Sequence, residues 1–262
     1  MPLPASLITS LKLGAGGITG EAPLAAHAYV LVDAMRGTGK PIVHVLPSDK
    51  ELAATAQLCE FLAPHCHVLQ LPAWDTLPYD RVSPSHTITA TRLTTLSSLA
   101  NRNDTKPYIL LTTINAITQK LPPREQLAKA RFVISKGATL KRDPLFEFLH
   151  ANGYSRVGKV MEAGEYAVRG ALIDVFPSGY ENAIRIDMFG DDVESLRSFD
   201  PLTQITDAAV PTLELRAVNE VLLQPETIAR FRTRYLEIFG AVTQDDPLYA
   251  SISEGRTTQG ME

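Results

Sequence analysis

GEYAVRGALIDVFPSGYENAIRIDMFGDDVESLRSFD, residues 164–200, predicts three short strands. Apolar and polar residues alternate through ALIDVFP, AIRIDMF and VESLRSF, and the turn-forming clusters Pro177-Ser178-Gly179 and Gly190-Asp191-Asp192 separate them. Turns this short imply antiparallel neighbours. In the middle strand a period of two puts Ile186 and Met188 on one face and Arg185, Asp187 and Phe189 on the other. The first face is core. The second is open to two readings. Arg beside an aromatic suits a protein-binding patch, while a solvated face with Phe189 tucked under a neighbouring loop is the plainer alternative. Alternation alone favours the plainer one. Neither face of Tyr166–Phe176 alternates cleanly, which points to a bulge at Gly170.

Upstream of this stretch, Asp143–Ala151 is an amphipathic helix carrying Leu145, Phe146, Phe148 and Leu149, ended by Asn152-Gly153. It is expected to cover one face of the strands, giving a compact α+β domain. Pro122-Pro123 marks its boundary and precedes basic text through Arg142, read as a solvated face.

Before the boundary the pattern changes. Helices over 24–35, 50–62 and 87–99 alternate with strands over 41–46, 67–71 and 108–112, an order that argues for a parallel sheet with helices on its faces. Such a sheet is where a phosphate-binding loop would sit, and Gly14-Ala15-Gly16-Gly17-Ile18-Thr19-Gly20 is the place to test for it. With Gly20 as the second glycine, the first glycine position is Ala15, the lysine position Glu21 and the hydroxyl position Ala22. A carboxylate thus replaces the phosphate-binding cation, and Gly16, Gly20, Glu21 and Ala22 read as a degenerate P-loop. Gly37-Thr38-Gly39-Lys40 looks closer to the motif but follows a helix and precedes a strand, the wrong order, so it is read as a helix stop. The strand over 108–112 ends in Thr112-Thr113 where a parallel-sheet ATPase places its magnesium-binding acids.

The chain has 262 residues, 45% of them apolar and 21% charged, as in ordinary globular proteins. A net charge of −4 gives no general footprint for nucleic acid. No apolar run is long enough to cross a bilayer, and no signal-peptide pattern opens the chain, so a cytoplasmic location is expected. Cys59 and Cys66 cannot form a disulfide framework, and His65-Cys66-His67 lacks a second ligand pair at structural-zinc spacing, so no metal is expected.

Three segments carry a family resemblance: LPAWDTLPYDRVSPSHTITATRLTTL (71–96), the long run GYSRVGKVMEAGEYAVRG through SFDPLTQ (153–204) and, more weakly, ISEGRTTQGME (252–262). They resemble the N-terminal, UvrB-like module of the bacterial transcription-repair coupling factor (Mfd) family. The resemblance implies an α/β fold in which a RecA-like parallel-sheet domain with a degenerate nucleotide site (1–125) is interrupted by a smaller α+β domain with antiparallel strands (126–212) and resumes over 213–262. It also implies a role in DNA repair, with the inserted domain docking the nucleotide-excision-repair protein UvrA. The family's contact positions fall on Arg169, Arg185 and Phe189, and Asp187 between them either orients Arg185 or contacts the partner. Catalysis is not implied for this segment. ATP and magnesium, and contacts with RNA polymerase and DNA, belong to other domains of the family's full-length members. Two alternatives stay open, a UvrB-type ATP-dependent repair factor and an intramolecular contact in which the same strand face docks on another domain and masks the UvrA site.

Overall fold

A computed structural model describes residues 5–12, 14, 22–77, 80, 82–102, 106–240, 246–258 and 260–261. Gly16, Gly20 and Glu21 of the degenerate P-loop, and Tyr79, lie outside the described residues, whereas Ala22 is exposed. In chain order the first elements are α1 (Ala5–Lys12), α2 (Leu24–Thr38), β1 (Ile42–Leu46), α3 (Asp49–Leu62), β2 (His67–Leu71), α4 (His86–Ala100), β3 (Tyr108–Thr113) and α5 (Ile114–Thr118). Then come α6 (Arg124–Lys129), β4 (Arg131–Ser135), α7 (Arg142–Ala151), β5 (Ser155–Arg156), β6 (Glu165–Arg169), β7 (Leu172–Val175) and β8 (Ala183–Phe189). The last are β9 (Asp192–Phe199), β10 (Thr206–Ala209), β11 (Thr212–Arg216), α8 (Pro225–Phe239) and α9 (Pro247–Ser253). The protein is a mixed α/β chain with one parallel sheet and two that are wholly or mainly antiparallel. No described helix is long and apolar enough to cross a membrane.

The chain divides into two compact units, Met1–Trp74 with Arg102–Lys120, and Asp75–Asn101 with Leu121–Glu262. The first is built on the parallel sheet β1-β3-β2. Helix α3 starts where the Ser48 side chain accepts the Glu51 N–H, satisfying one of the amides a helix start leaves unpaired. Helix α2 ends at Gly39, whose φ of 66° lets its N–H reach the Met35 carbonyl, so this glycine segment is a helix stop as its order in the chain required. Ala28, Leu31, Val32 and Met35 of α2 and Leu52, Ala56 and Cys59 of α3 bury themselves against Ile109 and Leu111 of β3. At the end of β3, the Thr112 hydroxyl donates to the Leu71 carbonyl, and the Thr113 hydroxyl caps α5 by accepting the Ala116 N–H.

The second unit carries the six-stranded sheet β10-β9-β8-β7-β6-β5 and the ribbon β11-β4. One face of the large sheet presents Tyr166, Ile173, Val175, Ile184, Ile186, Met188, Val193 and Leu196. Leu145 and Leu149 of α7, with Ile134, Leu213 and Leu215 of the ribbon, close over it. The expected cover by the 143–151 helix is thus present, and the ribbon shares it. Also in this unit, Arg92 of α4 is fully buried and paired with Glu220, each charge compensating the other's burial.

Two local readings change. The strand pattern over Tyr166–Phe176 is not one bulged strand but the hairpin β6–β7, in which Arg169 pairs with Leu172 and Gly170-Ala171 forms the turn. Gly170 has a φ of 62°, the left-handed value that two-residue hairpin turns demand. The bulge lies instead on β9, where Asp187 pairs with Ser195 and Met188 with Val193, leaving Glu194 as the extra residue. Near the C-terminal end of the described residues, Asp246 caps α9 and Pro247 opens it.

Candidate partner-docking face

The second face of the large sheet assembles the predicted site. Cross-strand partners share a face, so the registers place Ala167, Asp174, Arg185 and Arg197 in one row and Arg169, Leu172, Asp187 and Ser195 in the next. Phe189, two residues beyond Asp187, continues the same face. At its other end, Val160, Ala167, Ala183 and Phe199 form a small buried cluster. The face therefore grades from apolar cover, through charges, to an open aromatic.

Asp174 holds the centre. Its side chain is 1% exposed, and a buried carboxylate persists only where donors compensate it. Arg185 Nε donates to one carboxylate oxygen at 2.7 Å and Arg185 Nη2 to the other at 2.9 Å, a bidentate fork. Arg169 Nη2 donates to that second oxygen at 2.5 Å. Below, the Arg185 guanidinium stacks on the buried Phe199 ring, 4.6 Å from its centroid. The hydrogen bond to Asp174 raises Arg185 above its ordinary pKa, outweighing the opposing effect of burial.

Arg185 is thus fixed in one pose, with its side chain only 19% exposed, whereas that of Arg169 is 48% exposed. A guanidinium has five N–H donors, so both arginines keep donors for another acceptor. Phe189 is 78% exposed. It is therefore not tucked under a loop, as the plainer reading of this face had it. Asp187 is half-buried and opposite Leu172. The carboxylate that orients Arg185 is Asp174, and with it Arg169 and Arg185 are brought together as a unit.

Sequence reasoning missed Asp174. The signal was a lone carboxylate in the apolar run Leu172-Ile173-Asp174-Val175-Phe176, a position that needs cationic partners once buried. Also unforeseen is a recess of about 360 Å³ lined by Lys159, Arg169, Leu172, Arg185 and Gln204. Both Asp174 oxygens are engaged by arginine. The arrangement can present oriented donors and an exposed ring to another protein.

Residues 132–220 match the family described as the UvrB interaction domain. Over 253 residues the chain is 33% identical to the transcription-repair-coupling factor of Escherichia coli (strain K12), covering 96% of this chain and 22% of that protein. The corresponding protein of Rickettsia bellii is 32% identical over 92% of this chain and 21% of its own length. That of Haemophilus influenzae is 38% identical over 74% of this chain and 17% of its own length. The chain spans about a fifth of the length of the curated relatives it matches. Its identity to these proteins over most of its length, together with the domain match over residues 132–220, shows that the chain belongs to the transcription-repair-coupling factor family and carries the UvrB interaction domain.

Proposed function

We propose that this chain is a non-catalytic module that recruits UvrA to sites of stalled RNA polymerase, docking it through the sheet face formed by Arg169, Arg185, Asp187 and Phe189. The observation that carries the proposal is that Arg185 is locked by Asp174 and Phe199 while Phe189 stands almost bare on the same strand, inside the segment matched as a UvrB interaction domain. Interfaces draw most of their energy from a few Arg and aromatic anchors. Fixing a guanidinium beforehand also lowers the ordering entropy lost on binding. We further propose that residues 126–212 are the docking domain, inserted into a RecA-like domain made of 1–125 and 213–262. This division follows the family resemblance; by compactness alone, Asp75–Asn101 and the C-terminal residues group with the docking segment. Contacts with RNA polymerase and DNA, and ATP-dependent translocation, are assigned to other parts of the longer relatives.

A titration of purified UvrA with the chain and its Arg185→Ala and Phe189→Ala variants tests the site. Each substitution is expected to weaken binding by about 30-fold or more, corresponding to about 2 kcal/mol. Full-strength binding by both folded variants would remove the assignment.

A further inference from the structure

The loop joining β9 to β10 borders the cationic recess, and its construction is unusual. Asp200 Oδ1 accepts the N–H groups of Leu202 at 2.7 Å and Thr203 at 2.8 Å, and the Gln204 N–H donates back to the Asp200 carbonyl at 2.7 Å. Gln204 has a φ of 62°, the one described non-glycine residue with positive φ. Such a conformation is uncommon for a side-chain-bearing residue and persists only where surrounding contacts impose it. Here the Gln204 Nε2 donates to the Val160 and Pro201 carbonyls, anchoring the amide. Its Oε1, buried at the recess, accepts no hydrogen bond from the described residues.

This tight frame displays Leu202 at 74% exposure and Ile205 at 69%. Two bare aliphatic side chains on a rigid loop, next to a charged recess, have the composition of an interface rather than of a solvated turn. The recess is electrostatically unbalanced. Lys159, Arg169 and Arg185 line it, against buried Asp174, which the arginines engage, and Asp187 on the same sheet face, so cations outnumber carboxylates there. Asp187, in the row beside Leu172, faces the same side without lining the recess.

We infer that the docking surface extends across the recess to the Pro201–Ile205 loop. An acidic side chain of UvrA enters between Lys159 and Arg169, and apolar residues flanking that acid seat on Leu202 and Ile205. The inference rests on the docking reading above and deepens it: Phe189 and the loop become two apolar anchors on either side of a charged centre. A carboxylate is the occupant that the excess charge and the free guanidinium donors select.

The test is a titration of UvrA with the full chain carrying Leu202→Ser with Ile205→Ser, or Lys159→Glu, beside Phe189→Ala and Val133→Ser, the last removing an exposed aliphatic of β4. Folding is checked by circular dichroism and thermal midpoint. The loop double variant and Lys159→Glu are each expected to weaken binding about 10-fold, while Val133→Ser changes it less than about 2-fold. If the loop variant and Lys159→Glu bind like wild type while Phe189→Ala is weakened, the extension is wrong and the strand-face site stands. If Phe189→Ala also binds normally, the docking reading fails and takes the extension with it. Should the double variant not fold, Lys159→Glu decides alone, and binding within 2-fold of wild type overturns the inference.

Discussion

At the scale of single residues, Asp174 and Phe189 make opposite contributions to the same face. Asp174 is buried and compensated by two guanidiniums, so removing it strands Arg185, itself largely buried over Phe199. Asp174→Ala is expected to lower unfolding free energy by on the order of 3 kcal/mol, the usual cost of leaving one member of a buried ion pair uncompensated. It should also reduce UvrA binding by releasing Arg169 and Arg185. Phe189→Ala should leave stability within about 0.5 kcal/mol, because the ring is solvated already. Chemical denaturation of both variants, compared with wild type, reads the difference; equal stabilities would mean that Asp174 does not organise the face. The side-chain period of two was enough to put Arg185 and Phe189 on one side of β8. It could not reveal their anchor, because the pairing of Asp174 with Arg185 depends on the β7–β8 register, and Arg169 reaches the same carboxylate only through the β6–β7 hairpin. Register is a tertiary property that no single strand's pattern contains.

At the scale of elements, the run VESLRSF shows where pattern and structure part. Val193, Leu196 and Phe199 are spaced by three, which no regular strand can bury on one face. The bulge at Glu194 brings Val193 and Leu196 to the main core, and Phe199 turns to the opposite face beneath Arg185. The spacing was legible, but its resolution required knowing which strand lies alongside. The pairing of the ribbon β4–β11, which helps close the main core, is not written in either strand alone, since 77 residues separate its paired ends Ser135 and Thr212. It carries a titratable tie. Burial acts to raise the Glu214 carboxyl, but hydrogen bonds from Arg131 and Arg216 outweigh it and hold the pKa below its ordinary value of 4.5. A depressed carboxylate contributes stability that is present above its unfolded pKa and lost as pH falls through the folded one. Wild-type stability should therefore decline below about pH 4.5, and Glu214→Gln should show a shallower decline over that window. Thermal midpoints measured from pH 6 to pH 3 check this, and parallel curves would show that the tie is not linked to folding.

At the scale of the whole molecule, the question is whether a parallel-sheet unit that resembles a nucleotide-binding domain retains any nucleotide chemistry. Magnesium-dependent phosphate binding in such sheets needs a lysine and a hydroxyl after the glycine loop and carboxylates at the end of a neighbouring strand. Here the lysine and hydroxyl positions are Glu21 and Ala22. The strand-end residues are Thr112 and Thr113, whose hydroxyls are committed to the Leu71 carbonyl and to the start of α5. A carboxylate in place of the lysine repels phosphate, and threonines in place of acids offer the metal no anionic ligand, so both changes disfavour binding. Titration calorimetry of the chain with magnesium-ATP is thus expected to give only heats of dilution up to about millimolar nucleotide, the weak limit at which binding supplies roughly 4 kcal/mol. A saturable isotherm in the micromolar range would instead favour a UvrB-type ATP-dependent role for this segment. Adding Glu21→Lys with Ala22→Thr separates lost residues from a lost scaffold. If the pair restores micromolar binding, the sheet still presents a phosphate cradle and only the loop chemistry has gone. If it does not, the strand end at Thr112-Thr113 also lacks what magnesium-phosphate binding needs.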